Sequence, residues 1–159
     1  MHKTLAAIAL AISLPALPAD GTASGTVVYK GKTVTIKHVW LVKGPDTFDP
    51  KATIRELVFS ATDIGEKVRA CKKMSCLGGN LDEGLTVDFD VGPRLNYWLV
   101  LDGKKVQYSG TAKPETLKAT ANTSERVAGK LTIDDSKSGG GRIEIEFDAP
   151  LLAELKAAR

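Results

Sequence analysis

Two cysteines and two histidines are all that the 159 residues hold toward disulfide or soft-metal chemistry. Counting alone therefore excludes a multi-histidine metal centre, a four-cysteine zinc site and a disulfide-dense scaffold. Excess charge of one sign is also lacking, since 22 Lys and Arg face 19 Asp and Glu for a formal net charge of +3. That balance argues against general nucleic-acid binding, which needs a strongly basic face. Aromatic residues make up only 6 % of the chain. No apolar run reaches the roughly 20 residues needed to span a bilayer as a helix, and there is no internal repeat or coiled-coil heptad pattern. What is present, 43 % hydrophobic and 26 % charged residues, fits one globular domain.

The amino end has the layout of a secretory signal. Met1-His2-Lys3 supplies a positive start, Leu5 to Leu17 is almost wholly apolar, and Pro15, Pro18 and Ala19 precede a polar turn at Asp20. Cleavage is expected near Ala19, which divides the chain into a signal peptide, 1–19, and a single domain, 20–159. Loss of Lys3 leaves 21 basic residues against 19 acidic ones, or +2, and His38 becomes the one remaining histidine. The expected location is periplasmic or secreted, with no transmembrane span in the mature chain. In such an oxidising compartment Cys71 and Cys76 read as a local disulfide.

Strand signals dominate from Thr26 to Asp148. Eight strands are expected, with Leu85, Val87, Phe89 and Val91 alternating against Thr86, Asp88 and Asp90, and Ile143, Ile145 and Phe147 against Glu144, Glu146 and Asp148. In this reading the acidic rows are solvated outer faces. Asp102-Gly103 predicts a two-residue hairpin turn that sets Leu99 opposite Val106 and Tyr97 opposite Tyr108, with Trp98, Val100, Lys105 and Gln107 on the other side. One short helix is expected over Asp63 to about Lys73 from a capping box of Asp63 and Glu66, and a second after Pro150 through Leu151, Leu152 and Leu155. Polar Lys113 to Glu125 reads as a crossing loop. The resulting fold class is mainly β, an antiparallel sandwich of immunoglobulin-like arrangement with one or two short helices, and a small β-barrel is the runner-up.

Candidate sites are few. His38 lies in phase with Val34, Ile36, Trp40 and Val42, which points to a core histidine rather than a general base. No Gly-x-Ser-x-Gly elbow accompanies it, so no catalytic residues and no cofactor are assigned, and the chain is not expected to be an enzyme. Trp98, Val100, Lys105 and Gln107 form the best binding patch, tryptophan being enriched where contacts carry energy. The expected function is an exported, non-enzymatic binding or interaction domain of the cell envelope, such as an inhibitor or accessory subunit, whose partner is another envelope or secreted protein. The alternative is a periplasmic copper-binding protein using Cys71, Met74 and Cys76, with His38, since soft sulfur ligands hold copper(I) when the thiols are reduced.

The stretches Gly31 to Val39, Val42 to Asp46, Gly92 to Trp98 and Phe147 to Leu152 together resemble small exported proteins of Gram-negative bacteria of unassigned function. The resemblance implies a periplasmic or secreted location. It supplies no activity, cofactor or catalytic residue.

Overall fold

A computed structural model describes residues 21–90, 92–103 and 105–159. The segment expected to be a signal peptide, 1–19, lies outside the described residues. Among the described residues nine strands form one sheet, antiparallel except for a short parallel contact between the second and the last: β1 Gly21–Tyr29, β2 Lys32–Pro45, β3 Thr53–Ser60, β4 Gly84–Phe89, β5 Leu95–Val100, β6 Val106–Ala112, β7 Leu117–Asn122, β8 Arg126–Asp134 and β9 Arg142–Glu154. Their spatial order is β6-β5-β4-β3-β2-β1-β9-β8-β7. A six-residue helix, α1 (Gly65–Ala70), and single 3₁₀ turns at Met74–Cys76 and Gly78–Asn80 fill the connection between β3 and β4.

The sheet curls into a half-barrel, and contacts between strands far apart in its order show how far. Arg55 on β3 donates to the Asn122 side chain and the Thr123 carbonyl at the far end of β7, both at 2.7 Å. Tyr97 on β5 donates its hydroxyl to Asp135 beyond β8, and Phe59 on β3 meets Phe147 on β9 edge to face at 5.1 Å. Burial and Asp135 hold the Tyr97 phenol well above its usual range. The concave side is filled by a continuous apolar core that includes Val27, Ile36, Leu57, Val87, Tyr97, Leu131 and Ile145. Two facing sheets are thus replaced by a single curled one, nearer to the small barrel than to the immunoglobulin-like sandwich.

A second apolar cluster lies on the convex side. There Trp40, Val42, Val58 and Val100 of the sheet meet Ile64, Val68, Met74, Leu77, Leu81 and Leu155 of the connection and the chain end. The two clusters explain His38. Residues Ala23 and Ser24 of β1 lie within a bulge opposite Lys37, where the pairing steps from Thr22↔His38 to Gly25↔Ile36. Inward residues change phase there, so Val34 and Ile36 belong to the inner core with Val39 and Leu41, whereas Trp40 and Val42 face outward. His38 does not share one apolar face with all four; it is half-buried and stacked on Trp40 at 5.8 Å. Gly25 is needed at this bulge: its φ is +157°, and a Cβ would stand 2.1 Å from the Glu144 carbonyl oxygen.

Three further expectations are corrected. Lys113 to Glu125 contains β7, whose side chains are mostly exposed; an edge strand held by its backbone to β8 carries little hydrophobic alternation to read. The segment after Pro150 is not a helix but the continuation of β9. Opposite Gly21, β1 ends its pairing with β2 at Val39, and residues 151–154 take the vacated edge, Leu41 pairing with Leu151 and Lys43 with Glu154 in parallel. Finally, Asp102-Gly103 belongs to a five-residue connection, 101–105. A register shift between Leu99 and Val100 pairs Leu99 with Tyr108 and Val100 with Val106.

Candidate functional site

The register of the convex face sets the site. Val42, Glu56, Asp88 and Asn96 stand side by side on β2 to β5, and Trp40, Val58, Thr86 and Trp98 form the next row. Because Leu57, Val87 and Tyr97 point into the inner core, their neighbours Glu56, Asp88 and Trp98 must point outward. An outer layer covers this face along the whole of β4, so Asp88 is not a solvated residue: only 4 % of it is exposed, and 8 % of Glu56. The expected row of wet carboxylates therefore fails at Asp88, while Asp90 is bound by Arg55 and Glu144 and Glu146 are exposed.

The outer layer has three pieces. The loop after β2 is tied by Asp46 N–H to the Ala52 carbonyl and Ala52 N–H to the Asp49 carbonyl, each 2.9 Å. In it the Asp46 carboxylate accepts the Phe48 N–H at 2.9 Å, which leaves the Phe48 ring 71 % exposed. The 3₁₀ turn at Met74 is closed by the Cys71–Cys76 disulfide, as expected from the sequence. Met74 seats its thioether against Gly44, where a Cβ would come within 2.6 Å of the sulfur. The chain end completes the layer, Ala157 and Ala158 accepting the Met74 and Ser75 N–H groups at 2.9 and 3.0 Å.

Between these pieces and the sheet lies a recess of about 330 Å³. Its apolar wall is Phe48, Met74, Trp98, Val100 and Val106, its polar groups include Glu56, Thr86 and Asp88, and Arg159 stands at one side. The two carboxyls are directly opposed on neighbouring strands. Burial, the Asp88 charge and a hydrogen bond to Asp88 push the Glu56 carboxyl well above its ordinary range. Burial also pushes Asp88 up to about 7, against the lowering effect of the Glu56 hydrogen bond and with repulsion from Asp46 adding to the rise. Both carboxyls are thus held above their ordinary range, each by burial first. The other oxygen of Asp88, Oδ1, is buried without a hydrogen-bond partner among the described residues, an expensive arrangement in a low-dielectric site.

Of the patch read from the sequence, Trp98 and Val100 line the recess, whereas Lys105 and Gln107 are exposed and absent from its lining. The one-residue register shift puts Val106 beside Val100 in their place. The acid pair was missed because alternation reports which side of a sheet a residue faces, not what later covers that side. Cys71 and Cys76 are bonded to each other, so in this form the soft-ligand set has no thiolate. Among the described residues no group of three His, Cys, Asp or Glu is arranged to hold a metal, and no helix is long and apolar enough to cross a membrane.

The basic face of the helical segment is likewise solvated. Lys67, Arg69, Lys72 and Lys73 are exposed, with Arg69 paired to Glu66 at 2.7 Å. No family model, curated protein or solved structure matches the chain.

Proposed function

We propose that the protein is an exported, non-enzymatic binding domain of the cell envelope, and that its partner surface is the convex face around Trp98. One observation carries this reading: the large hydrophobic side chains that stand out in solvent among the described residues, Phe48 at 71 % and Val106 at 56 % exposure, border the same recess as Trp98. Exposed apolar groups that converge on a concave site are characteristic of contact surfaces, and tryptophan is the residue type most often energetic there. The disulfide supports an oxidising compartment. The partner in this reading is another envelope or secreted protein.

The test begins with a photo-reactive phenylalanine analogue in place of Val106, crosslinked in the native envelope, followed by affinity measurement with the purified partner. Trp98→Ala is expected to weaken that complex at least about tenfold, whereas Glu146→Ala on a remote strand leaves it unchanged. A complex indifferent to Trp98→Ala sinks the assignment of the surface.

A further inference from the structure

The recess holds more acid than an apolar contact surface requires. The charged or titratable groups around the carboxyl pair are Asp46 from the loop after β2 and Arg159 from the chain end; the strand neighbours Val42 and Asn96 carry none. Three carboxyls thus meet one guanidinium, and that guanidinium belongs to an exposed residue. Asp88 is 96 % removed from solvent, lines the recess, and keeps an oxygen that nothing among the described residues satisfies. A buried carboxylate acceptor with an unused lone pair is met most favourably by a charged donor, because a charge-assisted hydrogen bond restores both the missing partner and the missing countercharge. Trp98 and Phe48 on the wall add aromatic faces of the kind that attract cations.

We propose that this recess is a recognition site for an organic cation, a primary ammonium or guanidinium on an apolar stem, presented by a partner protein as a lysine or arginine side chain. The proposal rests on the reading of the convex face as the partner surface and names the chemistry that the face selects. The volume of about 330 Å³ suits one long side chain rather than a folded element. The apolar wall takes the stem, and the ammonium reaches the Asp88 oxygen. The cation competes with protons for the pair: as pH rises through neutrality Asp88 loses its proton and the site becomes a better acceptor, so recognition strengthens with pH.

The experiment follows the Trp98 indole N–H by NMR, with N-acetyl-lysine methylamide as probe and its uncharged norleucine analogue as control. At about pH 8 the lysine probe is expected to give a saturable shift and to bind at least about tenfold more tightly than norleucine, a preference that shrinks several-fold at about pH 5.5. Asp88→Asn and, separately, Glu56→Gln abolish the preference while both variants keep a native near-ultraviolet circular dichroism spectrum. Arg159→Ala leaves the preference intact or raises it. Equal binding of the two probes, or no saturable shift with the lysine probe, overturns the cation site. If the crosslinked partner still depends on Trp98 in that event, the surface reading survives alone. A lysine preference alongside a partner indifferent to Trp98→Ala has the opposite meaning: the cation site stands and the surface is wrong.

Discussion

Glu56 and Asp88 face one another across β3 and β4, two carboxyls directly opposed beneath an outer layer that leaves 8 % and 4 % of them exposed and raises the proton affinity of both. The carboxyls are buried because the sheet that carries them has an apolar layer on each side, and the convex layer arrives from three separate stretches of chain.

The pair makes stability fall as pH rises. A carboxyl whose pKa is raised by folding binds its proton more tightly folded than unfolded, so stability is lost from its ordinary value, 3.8, up to about 7 for Asp88. The exposed carboxylates act in the opposite direction at low pH. Hydrogen bonds from Ser136 and then Arg142 hold Asp134 down to about 2, and its contribution is lost as pH falls through that value. Thermal melting is therefore expected to be highest at about pH 4 and lower by several degrees at about pH 8. Asp88→Asn should flatten the neutral limb. A melting temperature that rises steadily from about pH 5 to pH 8 would contradict the raised proton affinity of the pair.

Arg55 ties the edge strand β7 back to β3 across the curl. It grips Asp90 through two hydrogen bonds of 2.7 and 2.8 Å, lies over the Phe89 ring at 4.5 Å, and reaches Asn122 and Thr123. Its side chain is only 14 % exposed, so this is not a surface ion pair of little worth. Arg55→Ala leaves Asp90 without its partner and should cost about 3 kcal/mol, lowering the melting temperature by roughly 6–12 °C. Arg55→Lys, which keeps charge but not the fork of donors, should recover only part of that loss. Melting of the two variants at constant pH decides between them.

The disulfide should matter modestly for global stability and more for the recess. With a sequence separation of 5, the chain-entropy model gives a loss of about 2 kcal/mol on replacing both cysteines by serine. Hydrogen exchange at the Met74 and Ser75 amides, which bond to the chain end, is expected to accelerate more than exchange in β3 and β4. Uniform acceleration would mean that the outer layer does not open independently of the sheet.

Much of the sheet was legible because one core face writes period-two alternation into the chain. Ile143, Ile145 and Phe147 on β9 and Leu85, Val87 and Phe89 on β4 are buried as their alternation requires. Where two apolar layers sandwich the sheet, alternation fades: β2 from Val39 to Val42 is buried on both faces, and the phase slip at the bulge opposite Lys37 comes just before that run. β7 escaped for the reverse reason, having almost no buried face. Trp98 was legible as a contact residue, but the recess it lines is completed by Phe48 and Arg159, distant in sequence and joined only by the fold.

The first strand pairs with the last: β1 lies between β2 and β9, with Thr22 opposite Asp148 and Val28 opposite Arg142. An emerging chain can form the β1 to β6 meander early, but β1 then keeps an open edge, and the inner core lacks Ile143, Ile145 and Phe147. Loop closure over everything between β1 and β9 must precede that gain, which makes folding slow. Until β9 pairs, β1 presents a row of unsatisfied backbone groups, an edge on which the strand of another chain could pair instead.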